Sequence, residues 1–393
     1  MVAQIIYKEM SIWNKLTVGE IADLNIKSID KNFLFNTIEY LDTGSITNGK
    51  IDSFQILPIE KAPSRAKRLV KANDIIYSTV RPIQKHFGFI KNCNPNMVVS
   101  TGFAVISPNN KFVSSKFLYY YLTTEEVVSY LDVIAEASTS AYPSLRPEDI
   151  SSLEIELPPI DDQIQIADIL SSLDDKIDLL NRQNKTLEAL AETLFRQWFI
   201  EEVDESWEDL SLDQIADFLN GLACQKYPPL NDIEKLPVIK IKEMNSGYSD
   251  KSDYVTSQIE SKYLVEPGDI LFSWSGSLDL CIWPYEKGVL NQHLFKVTSL
   301  NYPKWFYFFV IKYHLPEFRV IAESKSTTMG HIQRHHLTDA RFKKPSKDLL
   351  IEKNEIIEPL FSKIILNHSQ IRTLTQLRDT LLPKLMSGEV RVE

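Results

Sequence analysis

The tightest constraint on this chain is a helical pattern that occurs twice. Through Ile164–Trp198 the apolar positions are Ile169, Leu173, Ile177, Leu180, Leu187, Leu190, Leu194 and Trp198, interrupted by Asn184. Through Ile351–Leu385 they are Ile356, Leu360, Ile364, Ile371, Leu374, Leu377, Leu381 and Leu385, interrupted by Asn367. Each position of the first run lies 187 residues before its counterpart in the second, without a gap. Steps of three and four keep such a stripe on one side of a helix. The stripe is too narrow for a whole core and wide enough for a seam. Asp161 to Trp198 would span roughly 57 Å as a straight helix at about 1.5 Å per residue. Two similar helices of that length are expected to pack on each other as an antiparallel pair.

The repeat extends beyond the helices. Ala135-Glu136 matches Ala322-Glu323, and Leu118-Tyr-Tyr-Tyr matches Trp305-Phe-Tyr-Phe. Further upstream Ile21-Ala-Asp-Leu24 matches Ile215-Ala-Asp-Phe218, and Asn73-Asp-Ile-Ile-Tyr77 matches Gly268-Asp-Ile-Leu-Phe272. A duplication of this kind is not a solenoid, which stacks three or more shorter units. The expectation is an α+β chain: two similar mixed α/β domains separated by two long helices packed as an antiparallel coiled coil, with pseudo-two-fold symmetry. The boundaries are 1–157 for the first domain, 158–203 for the first helix, 204–345 for the second domain and 346–393 for the second helix.

Charge narrows the possible partners. The net charge is −10, which disfavours indiscriminate binding to a polyanion. It is unevenly spread: residues 158–203 carry −6, while both globular domains are near neutral. The acidic face of the first helix (Asp168, Asp174, Asp175, Asp178) suits a protein partner, and the domains carry local basic stretches. Three scattered cysteines form neither a disulfide framework nor a zinc site. There is no run of 18 apolar residues and no signal-peptide pattern, so a cytoplasmic location without membrane contact is expected.

Along the first domain, Leu16–Leu24 reads as an amphipathic helix and Val98–Ile106 as one strand. Lys116–Leu131 reads as one helix, its aromatic residues more at home in a core than on a stacking surface. Gly44–Ile51 is nearly a phosphate-binding loop but ends in Ile51 where a Ser or Thr is needed, so it reads as a hairpin. Pro359 is expected to kink or restart the second long helix.

Two kinds of segment offer contacts to nucleic acid. Lys61, Arg65, Lys67 and Arg68 lie in a cationic run with no acid, suited to phosphates or simply to solvent. Arg81 and Lys85 follow a strand, and Ser140, Tyr142, Ser144 and Arg146 form a polar loop able to reach base edges. In the second domain the corresponding positions are Ser275, Ser277, Gln292, His293, Ser326, Thr327, His331, Gln333 and Arg334. His331 and His335 have metal-capable spacing, but no Glu follows His331 and no third ligand is evident. No methyltransferase clamp, Walker A motif, metalloprotease helix or nucleophile elbow is present, so no catalytic and no metal residue is assigned.

Taken in order, these stretches resemble the specificity subunit of type I restriction–modification systems. The resemblance rests on Asn73–Pro82, Gly268–Ser277, Ser326–Arg334 and the two long helices, and covers essentially the whole chain. It implies two target recognition domains, each reading one half of a split, asymmetric sequence in double-stranded DNA. It implies helices that fix the spacer and help dock two methyltransferase subunits, with restriction–translocase subunits completing the assembly. It also implies a non-catalytic chain without cofactors of its own, S-adenosylmethionine, ATP and Mg²⁺ serving the partners. Two other readings stand beside it: a coiled-coil adaptor that never touches DNA, and a fused DNA-modifying enzyme.

Overall fold

The two halves of the chain build the same sheets from different sequences. In the computed structural model, residues 13–138, 142–249, 251–324 and 330–392 are described. The chain divides into two compact units, one of Met1–Asp175 with Gln376–Glu393, the other of Lys176–Thr375. Each long helix thus contributes to both.

In the first unit one four-stranded sheet has the order Gln55–Pro58, Thr37–Leu41, Met97–Ser100, Ala66–Leu69, its middle pair parallel. A second has the order Ala22–Leu24, Phe103–Pro108, Ile75–Ser78, Phe87–Phe89, all antiparallel. In the second unit the same two sheets recur. One runs Tyr254–Thr256, Lys235–Ile239, Gly288–Leu290, Leu264–Val265, again with a parallel middle pair. The other runs Asp217–Asn220, Leu294–Thr298, Ile270–Ser273, Leu280–Ile282. Central strands such as Ile75–Ser78 and Ile270–Ser273 are buried at every residue, so they read as continuous apolar runs. The two-stranded ribbon strand Glu154–Leu157 instead alternates exposed and buried.

Several local expectations are corrected. Leu16–Leu24 is not a helix but a strand, a single helical turn Val18–Ile21 and another strand. Its apolar residues are recruited by two different sheets, and tertiary pairing overrides the weak helical period. Val98–Ile106 is two strands, because the chain changes sheets at Thr101-Gly102. Lys116–Leu131 is two helices, Ser115–Leu122 and Glu125–Glu136, the second capped by the Thr124 hydroxyl. The hairpin at Gly44–Ile51 is present; Asn48 and Gly49 both take positive φ, as a tight two-residue turn requires.

The long helices are Ile160–Arg196 and Lys347–Met386, of 37 and 40 residues. The second runs through Pro359 without a restart; Pro359 and Glu355, whose carbonyl loses its usual donor, both lie on the exposed side. In the second unit the two helices pack antiparallel, Asn184 against Asn367 and Trp198 under the Lys353 ammonium at 4.7 Å. In the first unit Ile166, Ala167 and Leu170 share a core with Leu385, and Arg378 pairs with Asp174 at 2.9 Å.

The expected seam is only part of what the helices bury. Ile169, Leu173, Ile177, Leu187 and Leu194 are half-buried, and Leu190 and Leu377 are exposed. The fully buried side chains Ala191, Phe195 and Phe199 form an adjacent row, packed into the second unit's sheet and helix core. Ile357, Phe361 and Ile364 of the second helix belong to the same core, and Leu187, Leu194 and Trp198 pack against it, so in the second unit the helix seam is continuous with the globular core.

Candidate nucleic-acid interface

The most repeated motif is a turn that starts the central strand. Asn73 (φ 73°) and Gly268 (φ 90°) occupy the left-handed region that favours Asn and Gly. The Asp that follows each of them accepts the backbone N–H three residues back, Lys71 for Asp74 and Glu266 for Asp269, both at 2.8 Å. Asp74 also accepts the Ser107 hydroxyl at 2.7 Å, and burial pushes its carboxyl above the ordinary range despite these bonds. These residues brace the sheet; the exposed polar groups gather at the strand's other end.

At that end of the first unit the polar loop crosses the strand. Leu145 N donates to Thr79 O at 2.7 Å, Arg81 N to Pro143 O at 3.2 Å, and Val80 bridges to Ser144. Thr79 N in turn donates to Gly102 O, and Thr101 N to Arg65 O, both at 2.8 Å. A chain of backbone bonds thus brings Arg65 of the cationic run into the same corner as Arg81 and Ser144. Arg81 (φ 47°) and Lys85 (φ 56°) flank the short turn Pro82–Gln84 in left-handed conformations, a cost that is met where the surroundings fix the loop. Glu125 pairs with the Lys85 ammonium, and Asp132 accepts Ile83 N at 3.1 Å.

The candidates differ in what they present. Lys61, Arg65, Lys67, Arg81 and Tyr142 are exposed. Arg68 is half-buried: its Nη1 is enclosed without an acceptor, and burial lowers its pKa. Arg146 caps the turn Pro147–Ser151, its N–H donating to Asp149 at 2.7 Å while most of the guanidinium side chain stays in solvent. Ser140 lies outside the described residues.

The second unit repeats the crossing with other side chains. Ile332 N donates to Trp274 O at 2.9 Å, Gly276 N to Gly330 O at 2.8 Å, and Ser275 bridges to His331. Trp274 is the hub and was not among the residues singled out from sequence. Its indole N–H donates to Asn220 Oδ1 and Gln292 O, and its ring lies 5.7 Å from His293 and 6.5 Å from His331. Its place between Ser273 and Ser275, just past a central strand, was the available signal. Ser275 Oγ lies 3.1 Å from His293 Nδ1, and the other ring nitrogen faces the Gln292 amide at 3.4 Å rather than a carboxylate. Arg334 donates to Phe218 O at 3.2 Å with its guanidinium over Phe295. Ser277 lines a pocket of about 510 Å³ with Asp279, Arg319 and Gly330. The Gln333 backbone N–H donates to His336. Ser326 and Thr327 lie outside the described residues. The structure thus gathers Ser275, Gln292, His293 and His331 around one indole, with Arg334 over the neighbouring Phe295 ring.

Residues 10–189 and 204–376 match the family described as the type I restriction modification DNA specificity domain. The chain belongs to this family. Among curated relatives of this type I family, the HindI specificity subunit of Haemophilus influenzae is 24% identical, over 97% of this chain and all of that one. The MjaIX specificity subunit of Methanocaldococcus jannaschii is 28% identical, over 83% of this chain and 79% of that one. The fold is similar to that of the type I system S subunit from M. genitalium, with a TM-score of 0.56 at 17% identity, covering 98% and 99% of the two chains. The repeated sheets and paired helices are thus this family's architecture. No helix among the described residues is long and apolar enough to cross a membrane.

Proposed function

We propose that this chain reads a bipartite, asymmetric target in double-stranded DNA for a type I restriction–modification complex, one half-site per globular domain. The observation that carries this reading is the loop crossing. Both domains pass a polar loop over the same strand end, but the side chains differ: Tyr142, Ser144 and Arg146 in one, His331, Gln333 and Arg334 in the other. One frame with two sets of hydrogen-bonding groups suits two unlike half-sites. Lys61, Arg65 and Lys67 would hold phosphates; Arg68 is the weaker candidate because its guanidinium is partly enclosed. Catalysis, with S-adenosylmethionine, ATP and Mg²⁺, belongs in this reading to the methyltransferase and restriction subunits.

For methyltransferase docking the acidic row is one candidate surface, although its carboxylates already have partners within the chain. Asp168, Asp174 and Asp175 are engaged by the chain's own Lys116, Arg378 and Lys91, and Asp178 by Arg182. A second candidate is a set of exposed apolar residues that recurs at the 187-residue offset: Ile164, Leu179 and Leu190, and Ile351, Leu366 and Leu377. Two equivalent sets of exposed positions, one on each helix, fit two copies of one partner.

Grafting Ser324–Arg334 from a relative into the assembled complex tests the reading. Sequencing of methylated sites should show one half-site changed and the other intact; a change in both halves, or in neither, would refute it.

A further inference from the structure

Two amides sit inside the helix seam where the surrounding positions are aliphatic. Asn367 Nδ2 donates to Asn184 Oδ1 at 2.8 Å, and Asn184 Nδ2 reaches Ile364 O at 3.4 Å. Asn184 is 7% exposed and Asn367 is fully buried, its Oδ1 without a donor. A buried amide costs stability that an apolar residue would not, and in helix pairs this cost is met where it fixes the partner or register.

The repeat shows which partner. Asn184 faces Asn367, and Trp198 lies under Lys353, an equal step along both helices in opposite directions. That register sets Leu180 opposite Ile371. By the 187-residue offset, however, Asn184 corresponds to Ile371 and Asn367 to Leu180. The polar positions therefore match only when the first helix pairs with the second. If the first helix paired with a second copy of itself in this register, Asn184 would face Leu180 at two places. The second helix paired with itself would set Asn367 against Ile371 twice. Each self-pair buries lone amides against aliphatic side chains; the mixed pair lets them bond to each other.

We propose that Asn184 and Asn367 form a selectivity element, making the helix of each half of the chain accept the other half and reject a second copy of its own. This does not depend on the DNA reading and is tested without DNA.

Exchanging the two equivalent residues, as Leu180→Asn with Asn367→Leu, keeps the composition and reverses the logic. The first helix then carries self-matching amides at 180 and 184, the second is aliphatic at 367 and 371, and the mixed pair holds two lone amides. Analytical ultracentrifugation of the full-length protein should show wild type as single chains and the exchanged variant as dimers. The control moves the pair intact, as Leu180→Asn, Asn184→Leu, Asn367→Leu and Ile371→Asn; it should sediment and melt like wild type. An exchanged variant that loses its fold while the moved pair keeps it supports the same conclusion. An exchanged variant that stays single-chain with the wild-type melting temperature overturns the proposal. So does a moved pair that dimerises or fails as badly as the exchanged variant.

Discussion

Two histidines of the second unit tie its stability to pH. His314 is buried, its Nε2 without a partner, and burial lowers its pKa below the ordinary 6.5, against the pull of Glu317. Burial also lowers the pKa of His368, with Glu188 opposing. The unfolded chain then binds protons that the folded unit refuses. The stability these groups contribute is complete above the ordinary histidine pKa and is lost as pH falls below it toward their folded values. The melting temperature of the second unit should therefore drop between about pH 7 and pH 5. His314→Leu combined with His368→Leu should flatten that slope in calorimetry. An unchanged slope would assign the acid sensitivity to other groups.

At the scale of elements, the long helices each serve two masters. Phe195 touches the rings of Phe199, Phe306, Phe309 and Phe342 with 1% of its surface exposed, while its neighbour Leu194 is only half-buried. Phe195→Ala should cost about 3–5 kcal/mol in denaturant unfolding, and Leu194→Ala roughly 1–2 kcal/mol. Equal losses would mean that depth of burial does not set the contribution of each side chain. The same double duty explains why the first stripe was legible and the second was not. Ile169, Leu173 and Ile177 repeat cleanly, whereas Ala191, Phe195 and Phe199 look like an irregular edge of that stripe until the sheet they pack against is known.

At the scale of the whole molecule, duplication is the organising fact. If the recurring apolar residues dock two copies of one partner, Leu190→Asp together with Leu377→Asp should abolish co-purification of the methyltransferase subunits. Both positions are exposed, so the circular dichroism of the chain should be unchanged. Retained co-purification would move the docking face elsewhere.

Periodicity and repetition in the sequence by themselves determined two related domains, two long helices and their antiparallel pairing, because helical spacing and a fixed offset are local, countable properties. They did not reveal that Val98–Ile106 is divided between sheets. Nor did they show that Trp274 collects His293, Gln292 and His331 around one ring. Those facts follow from the meeting of strands and loops far apart in the chain. Such meetings are set by the packing of the whole core, and no short window of sequence contains both partners.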